Sequence, residues 1–366
     1  MASDYKYNVI KIWIEGKIKS GHYKTGDRLP SEQALCNKFN FSRQTVRNAI
    51  IKLTEAGVVR SVQGSGTYVA DSQNILREKR VGVIFSYMQD YIFPSILRGV
   101  ESGLMKAGYG IEFGITGNSI EKERQILERM LTSNLSGFIV EGSCSALPNP
   151  NIEIYRRLKK MGIPVVFIHN YYEEHLFPSI MTRDAECTKL LTEVLIDEGH
   201  TKIAGLFKID DFQGRSRLGG YLEALYDADI PVEEKDIFYY TTRTADITRI
   251  PGLMDTFTGS DPCTAIVCYN DQVARILYGL FLNTGLKVPD DVSMTGFDNV
   301  FETMLDGVRL TTIKHPKGEL GKRAVQCLLE MIEKGVDCIP ANPNYMDSEM
   351  AVGNSIGKAP HQAEIA

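Results

Sequence analysis

The sequence lacks the features of a membrane protein, a secreted protein and a metalloprotein. No run of about 18 apolar residues is present to span a bilayer, and Met1-Ala2-Ser3-Asp4 does not begin a basic region followed by an apolar one. The seven cysteines form no Cys-x-x-Cys pair, so we expect small buried thiols rather than disulfides or a zinc site. These absences predict a cytoplasmic protein with no metal and no cofactor.

Charge divides the chain into two parts. The 366 residues exceed one core of usual size, so two or three domains are expected. Residues 1–70 hold eleven Lys or Arg and five Asp or Glu, a net charge of +6, and because the whole chain carries −5 the remainder carries −11. This asymmetry predicts that the N-terminal part binds a polyanion.

A helix predicted over residues 43–56 is the most informative element of that part. Ser42 is a suitable N-cap, and Gly57 is a suitable C-terminal stop. One face carries four apolar residues at helical spacing, namely Val46, Ala49, Ile50 and Leu53. Polar residues of the first turns lie off that face, and arginine and glutamine there suit paired hydrogen bonds to guanine or adenine edges.

The elements around this helix predict a winged helix-turn-helix. Ser31 begins a short helix just before it. Just after it, β-rich runs at residues 58–62 and 67–69 flank Gln63-Gly64-Ser65-Gly66, which predicts a hairpin, or wing. The alternative is an ordinary surface helix and hairpin whose charges serve only solvation.

Three runs resemble the winged helix-turn-helix of GntR-type bacterial repressors, namely residues 29–32, 42–47 and 63–69. The resemblance covers about residues 1–70. It implies contacts to DNA from the recognition helix, entry of the wing into the minor groove, and further contacts from Lys6 and Glu32. The predicted DNA-binding residues are Lys6, Glu32, Ser42, Arg43, Gln44, Thr45, Arg47, Gln63 and Gly64.

From Val81 onward, short apolar runs alternate with helical segments. Runs that are apolar throughout indicate strands buried on both faces of a parallel sheet. Strands are predicted at residues 81–85, 111–115, 137–140, 165–168, 203–207, 237–240, 265–268 and 293–297. Two such sets predict an α/β fold in which two doubly wound parallel-sheet subdomains surround a cleft, preceded by the winged helix-turn-helix domain of α+β type.

Ligands of open α/β sheets bind beyond the carboxyl ends of the strands. There the sequence places carboxylates, amides, a guanidinium and aromatic rings, which suit the hydroxyls and C–H faces of a neutral polyhydroxylated ligand. A phosphate would require a Gly-rich loop or clustered cations. Structural roles stay open as alternatives: helix caps for Asp90, Asp271 and Asp298, a buried imidazole for His169, and surface charges for Lys208 and Arg217.

A second resemblance covers about residues 80–357. Residues 198–204, 215–221, 268–274, 288–293 and 296–299 resemble the effector domain of the lactose/galactose repressor family, which is similar to periplasmic sugar-binding proteins. This resemblance implies sugar contacts by Arg217, Asn270 and Asp298, with Asp184 and His169 at further positions of the pocket.

A GntR-type domain joined to this effector domain resembles the arabinose-responsive repressors of Gram-positive bacteria, as do residues 90–96, 139–141, 145–147, 149–152 and 314–317. That resemblance implies L-arabinose as the effector. The predicted effector-binding residues are Asp90, Tyr91, Phe93, Glu141, His169, Asp184, Lys208, Arg217, Asn270 and Asp298. Two positions depart from the pattern, since His169 stands where asparagine is usual and Gly353 where arginine is usual.

The domain boundaries follow from both resemblances. We expect the DNA-binding domain at residues 1–70, a linker at 71–80, an effector-binding and dimerisation domain at 81–357, and a disordered tail at 358–366. One subdomain is expected to comprise residues 81–181 plus 309–329, and the other residues 182–308 plus 330–357.

Together these features predict a homodimeric repressor of sugar-utilisation genes on a palindromic operator, released when a sugar binds the cleft. Two alternatives stay open. One keeps the DNA-binding role but uses a different pentose or a corepressor ligand. The other is an α/β enzyme acting on sugars, against which stands the absence of H-E-x-x-H and of metal-ligand spacing.

Overall fold

The chain divides into two compact units, Met1–Glu78 and Lys79–Ala366. The structure is a computed structural model that describes residues 2–19, 22–55, 57–62, 64–70, 78–88, 92–172, 175–300 and 307–360. Within these ranges the side chains of residues 2–6, 8, 12, 19, 55 and 78 are not described. No helix in the described ranges is long and apolar enough to cross a bilayer.

The N-terminal unit contains three helices and a hairpin. The helices are α1 (Ala2–Lys19), α2 (Glu32–Phe39) and α3 (Arg43–Glu55), and strand β1 (Val59–Val62) pairs antiparallel with β2 (Gly66–Val69). The predicted apolar face of α3 is buried, and its Val46 and Leu53 share a core with Ile10 and Ile14 of α1. The predicted winged helix-turn-helix is confirmed.

Local sequence signals explain where these helices begin and end. The backbone N–H of Ala34 donates to Ser31 Oγ at 3.2 Å, and that of Thr45 donates to Ser42 Oγ at 3.3 Å. Each serine thus satisfies a backbone N–H of the first turn, as predicted. Gly57 follows α3 at a φ of +66°, a conformation that favours glycine.

The second unit contains two parallel sheets and a small antiparallel pair. The strands are β3 (Glu78–Phe85), β4 (Gly110–Ile115), β5 (Leu135–Val140), β6 (Val165–Ile168), β7 (Ser179–Thr182), β8 (Ile203–Lys208), β9 (Ile237–Tyr240), β10 (Ala265–Cys268), β11 (Ser293–Thr295), β12 (Thr312–Lys314), β13 (Pro343–Met346) and β14 (Glu349–Ala351). The larger sheet has the order β13-β7-β6-β5-β3-β4, the smaller β11-β10-β8-β9, and β12 pairs antiparallel with β14. The predicted α/β class with parallel sheets is confirmed.

Helices connect and cover these strands. They are α4 (Phe93–Lys106), α5 (Ile120–Met130), α6 (Ile152–Lys160), α7 (Asp184–Asp197), α8 (Phe212–Asp227), α9 (Asp255–Thr258), α10 (Asp271–Thr284) and α11 (Lys317–Lys334). β5 and β6 are buried at every position, which is the pattern expected of parallel strands covered on both faces.

Three predicted boundaries are corrected by the structure. β3 begins at Glu78, inside the predicted linker 71–80, because Arg80 pairs with Gly110 of β4; residues 71–77 lie outside the described residues. β13 pairs with β7 in the larger sheet, so assigning all of residues 330–357 to the other subdomain is wrong. The N–H of Ala359 donates to the carbonyl of Glu198 at 2.9 Å, so the predicted disordered tail cannot begin at residue 358; residues 361–366 lie outside the described residues.

The C-terminal segment packs against the smaller sheet, and the buried side chain of Ser355 forms a hydrogen bond to it. Ser355 lies in a Gly-x-Ser-x-Gly run, a spacing known from serine hydrolases, but it is fully buried and its Oγ donates to the carbonyl of Met294 at 2.6 Å. Its role is therefore structural. A Cβ atom at Gly353 would lie 2.1 Å from the carbonyl oxygen of Arg309, so glycine at this position serves close packing.

Candidate nucleic-acid interface and ligand cavity

The outward face of α3 presents the predicted base-reading residues. Arg43, Gln44 and Arg47 are exposed. Arg43 Nε lies 3.5 Å from a carboxylate oxygen of Glu32, and Gln44 Nε2 donates to Asn48 Oδ1 at 3.1 Å. Surface interactions of this kind contribute little to stability, so these side chains can be redirected toward a DNA groove at small cost.

The remaining predicted DNA-binding residues have mixed surroundings. Ser42 Oγ lies 2.9 Å from Thr45 Oγ1, and this pair of hydroxyls belongs to the N-cap of α3. Gly64 is exposed at the tip of the wing with a φ of +74°. Gln63 and the side chain of Lys6 lie outside the described residues.

A cavity of about 270 Å³ lies at the carboxyl ends of strands of both parallel sheets. The structure brings together around it seven predicted effector residues, Phe93, Glu141, His169, Lys208, Arg217, Asn270 and Asp298. Asp184 is not among the lining residues but contacts Arg217. Asp90 and Tyr91 lie outside the described residues.

Arg217 is held at the base of this cavity by a buried ion-pair network. Its Nε donates to Asp184 Oδ1 at 2.8 Å, its Nη1 donates to the carbonyl of Tyr269 at 2.8 Å, and its Nη2 lies 3.6 Å from Asp298 Oδ1. Burial lowers the pKa of Arg217, but the two carboxylates outweigh it and hold that pKa above its ordinary value. The guanidinium also lies over the ring of Phe297, so it is fixed in position as a cation.

Lys208 is the second cation of the cavity and is also paired. Its Nζ lies 2.8 Å from Asp211 Oδ2 and 3.2 Å from Asp210 Oδ1. Burial opposes the charge, but the two aspartates raise the pKa of Lys208. The surface-charge alternative is therefore wrong for both Lys208 and Arg217.

His169 is partnered on one ring nitrogen only. Its Nδ1 lies 2.9 Å from Glu141 Oε1, while Glu141 Oε2 accepts the backbone N–H of Ser86 at 2.9 Å. Because a carboxylate accepts hydrogen bonds, Glu141 favours a proton on Nδ1 of His169. The other nitrogen, Nε2, is buried without a hydrogen-bond partner among the described residues.

Asn270 and Asp298 lie at the ends of β10 and β11. Asn270 Oδ1 accepts the N–H of Val273 at 3.0 Å and so caps α10, which leaves its Nδ2 as a donor. The carboxylate of Asp298, one of the possible caps, approaches Arg217, with Oδ1 3.6 Å from Nη2. Asp271, the other possible cap, instead accepts from Thr312 Oγ1 at 2.6 Å and from the N–H of Val300 at 2.8 Å.

Three non-glycine residues that line the cavity have a left-handed backbone. The φ angles are +57° for Asn118, +63° for His169 and +97° for Asp298. Such conformations are uncommon outside glycine and concentrate at functional sites, where the surrounding structure maintains them. Their gathering around one cavity identifies it as the candidate functional site of the second unit.

The predicted effector-binding set omits several residues that line the cavity, including Asn118, Asn170, Asp211, Gln213, Thr242 and Tyr269. Asn118 follows β4 and Thr242 follows β9, so applying the strand-end rule to every strand would have found both. Gln213 lies one helical turn before Arg217 on α8, a spacing that shares a face. The approach of the carbonyl of Tyr269 to Arg217 has no sequence signal.

Comparison with known proteins agrees with the two units. Residues 6–69 match the family "Bacterial regulatory proteins, gntR family", and residues 78–345 match "Periplasmic binding proteins and sugar binding domain of LacI family". In structure, the chain is similar to the transcription regulator CcpA of Lactococcus lactis, with a TM-score of 0.65 and 26% identity, covering 76% of this chain and 100% of that one.

Two relatives match along nearly the whole chain. The arabinose metabolism transcriptional repressor of Geobacillus stearothermophilus is 38% identical over 90% of this chain and 92% of its own length. That of Halalkalibacterium halodurans is 39% identical over 90% of both chains. These relatives are transcriptional regulators and not enzymes. The chain therefore belongs to the same family of transcriptional repressors, in which a gntR-family DNA-binding domain is joined to a sugar-binding domain of the LacI family.

Proposed function

We propose that this repressor leaves its operator when a neutral pentose, first of all L-arabinose, binds the cavity of the second unit. The observation that carries the proposal is a set of three enclosed polar atoms. His169 Nε2, Asn170 Nδ2 and Gln213 Nε2 have no hydrogen-bond partner among the described residues, and all three residues line the cavity. A buried polar group without a partner costs about 1–3 kcal/mol, so a ligand with several hydroxyls would recover that free energy.

Charge and size support a neutral monosaccharide. Lys208 is paired with Asp210 and Asp211, and Arg217 with Asp184 and Asp298, so neither cation is available to neutralise an anionic ligand. The volume of about 270 Å³ lies just under the range of about 300–1,000 Å³ that is usual for ligand pockets. The two relatives named for arabinose metabolism favour L-arabinose among the pentoses.

The same polar atoms suggest how binding changes the protein. Asn170 follows β6 of the larger sheet, whereas Gln213 lies on α8, which packs on the smaller one. A sugar that accepts from both side chains stabilises the closed cleft, and a ligand shifts an equilibrium only by its difference in affinity for the two states. Typical coupling between two sites is about 1–3 kcal/mol.

On the DNA side, Arg43, Gln44 and Arg47 read bases in the major groove, and the wing at Gly64 reaches the minor groove. A helix-turn-helix on a two-fold dimer requires a palindromic operator. β4 lies at the edge of the larger sheet and exposes Phe113 and Ile115, a surface that self-association would cover. We accordingly place a homodimer in the cytoplasm, where its operator is found.

Two linked titrations test this proposal. Calorimetry with L-arabinose, D-xylose, D-ribose and D-glucose ranks the ligands, and fluorescence anisotropy of operator DNA follows retention as each sugar is added. Tightest binding of L-arabinose, together with release of the operator, supports the proposal. Release by a different pentose would correct the ligand, tighter retention would indicate a corepressor, and binding of no sugar would overturn the proposal.

A further inference from the structure

A second buried cluster lies outside the cavity lining and contains none of the predicted effector residues. At its centre is Glu123 of α5, which is 0% exposed. Its carboxylate accepts hydrogen bonds from the backbone N–H of one residue and from four side chains. The donors are Ser143 N at 2.6 Å, Tyr155 Oη at 3.0 Å, Asn149 Nδ2 at 3.1 Å, Tyr172 Oη at 3.3 Å and Asn151 Nδ2 at 3.4 Å.

All five donors are neutral, and no Lys, Arg or His in the described part of the chain forms an ion pair with this carboxylate. Burying a charge is costly unless hydrogen bonds replace its hydration. Burial and the neighbouring Glu123 raise the pKa of both Tyr155 and Tyr172 well above the ordinary value, so both hydroxyls stay protonated as donors. The cluster is therefore a fully satisfied network, which specifies one geometry.

Four of the five donors belong to segments that also line the cavity. Ser143, Asn149 and Asn151 lie in the connection between β5 and α6, which also contributes Glu141, Gly142 and Ser145 to the cavity. Tyr172 follows β6, two residues after Asn170. A Cβ atom at Gly142 would lie 2.3 Å from Tyr172 Oη and 2.7 Å from Asn170 Nδ2, so these groups are packed against each other without spare room.

We propose that Glu123 is a positioning residue for the sugar cavity: its carboxylate holds the residue 141–151 segment and Tyr172 in the geometry that presents Glu141 and Asn170 to the ligand. Glu123 does not touch the ligand and acts through these neighbours. The proposal rests on the proposed function, because it assigns the geometry of the same cavity.

Glu123→Gln tests this role with almost no change in volume. Glutamine has only one acceptor oxygen, and its NH2 group would face hydrogen-bond donors. Some of the hydrogen bonds to position 123 are therefore lost. Loss of a hydrogen bond to a charged group predicts a sugar affinity about tenfold lower. The sugar concentration that releases half of the operator should rise by the same factor, while operator affinity without sugar stays unchanged. Unchanged sugar affinity in this variant would overturn the proposal.

A reciprocal exchange distinguishes positioning from general damage. In Glu123→Gln combined with Asn149→Asp, the new amide at position 123 can donate to the new carboxylate at position 149, so one negative charge and one donor are again present. We expect sugar affinity to return to within about threefold of the parent protein, because complementary pairing is restored. A double variant as weak as Glu123→Gln would count against the proposal.

Leu127→Ala is the matched control on the same helix. Leu127 is fully buried one turn from Glu123, and its truncation should lower the melting temperature without altering the hydrogen-bond network. If this variant lost sugar affinity as strongly as Glu123→Gln, the role of Glu123 would be no more than structural. Hydrogen exchange of residues 141–151 without ligand gives a separate readout, since Glu123→Gln should accelerate it whichever sugar the protein binds. If the parent protein bound no sugar, the proposed function would fail while this exchange result still tested the network.

Discussion

Arginine has opposite surroundings in the two units. The side chain of Arg43 on α3 is 80% exposed and forms a long ion pair with Glu32, whereas that of Arg217 on α8 is 2% exposed and is held by two carboxylates, a carbonyl and an aromatic ring. An exposed arginine retains the freedom to meet a partner that arrives from solvent. A buried, paired arginine is already fixed, and its value lies in the geometry that it imposes on the cavity.

The largest expected effect comes from breaking the buried pair. Arg217→Ala leaves Asp184 and Asp298 buried without their cation, so the free energy of unfolding of the second unit should fall by about 3–5 kcal/mol. Calorimetric melting should show this loss, and sugar binding should disappear below the melting temperature. Arg157→Ala, at an exposed position of α6, is the matched control and should change neither the melting temperature nor the sugar affinity. If Arg217→Ala melted at the same temperature as the parent protein, the buried ion pairs of Arg217 would not contribute to stability.

The exposed arginines should show the reverse pattern. Arg47→Ala should weaken operator binding by about 1–3 kcal/mol, as loss of a paired contact to a base edge does, and leave sugar affinity unchanged. Anisotropy with operator and with scrambled duplex measures both affinity and specificity. Equal operator affinity of variant and parent would remove Arg47 from the contact set.

The buried Asp271 makes stability depend on pH. Burial raises its pKa to about 7, with Asp298 also raising it and the hydrogen bond from Thr312 opposing the shift. Between about pH 4 and about pH 7 the folded state keeps a proton that an unfolded carboxyl with a pKa of about 3.9 has released, so stability falls as pH rises through this window. Above this pH window, the stability that the protonated Asp271 contributes is lost completely.

Asp271→Asn imitates the protonated form and should remove this dependence. Relative to the variant, the parent protein should lose about 2–3 kcal/mol of unfolding free energy between about pH 5 and about pH 7.5. Denaturant melts at both pH values measure the difference. Parallel behaviour of the two proteins would show that Asp271 does not titrate in this range.

The smallest effect is expected at the start of α3. Ser42→Ala removes the N-cap and should destabilise the N-terminal unit by about 1 kcal/mol. Trp13, the only tryptophan of the chain, is partly buried against the core of this unit and reports its unfolding by fluorescence. Operator affinity that falls far more than this stability loss would show that Ser42 also contacts DNA.

Local patterns predicted what depends on neighbouring residues. Ser31 and Ser42 as caps, Gly57 as a helix stop and the buried face of α3 follow from spacing within one helix, and the fully apolar strands follow from burial on both faces. The sequence did not predict β7, β12 and β13, and β13 reads Pro-Asn-Tyr-Met, which has no strand pattern. The pairing of β13 with β7 joins residues more than 150 positions apart in the chain, a distance that no local pattern spans.

The same distinction applies to the cavity. The strand-end rule placed Glu141, His169, Lys208, Asn270 and Asp298 at the correct edge of the sheets, because parallel strands end together. It could not say that Asp184 is a partner of Arg217 rather than a lining residue, or that Asn270 is at once a cap and part of the wall. Nor did any pattern point to Glu123, whose five donors come from three segments of the chain: the β5–α6 connection, α6 and the residues after β6.

The sequence by itself determined the kind of protein: a cationic DNA-reading unit recognisable from helix periodicity, caps and charge, followed by alternating strands and helices with polar residues at their ends. Only the tertiary structure decided which of those polar residues are buried, which are paired and which remain without a partner. Periodicity and capping involve residues a few positions apart, whereas burial and pairing depend on contacts between segments that the chain brings together from far apart.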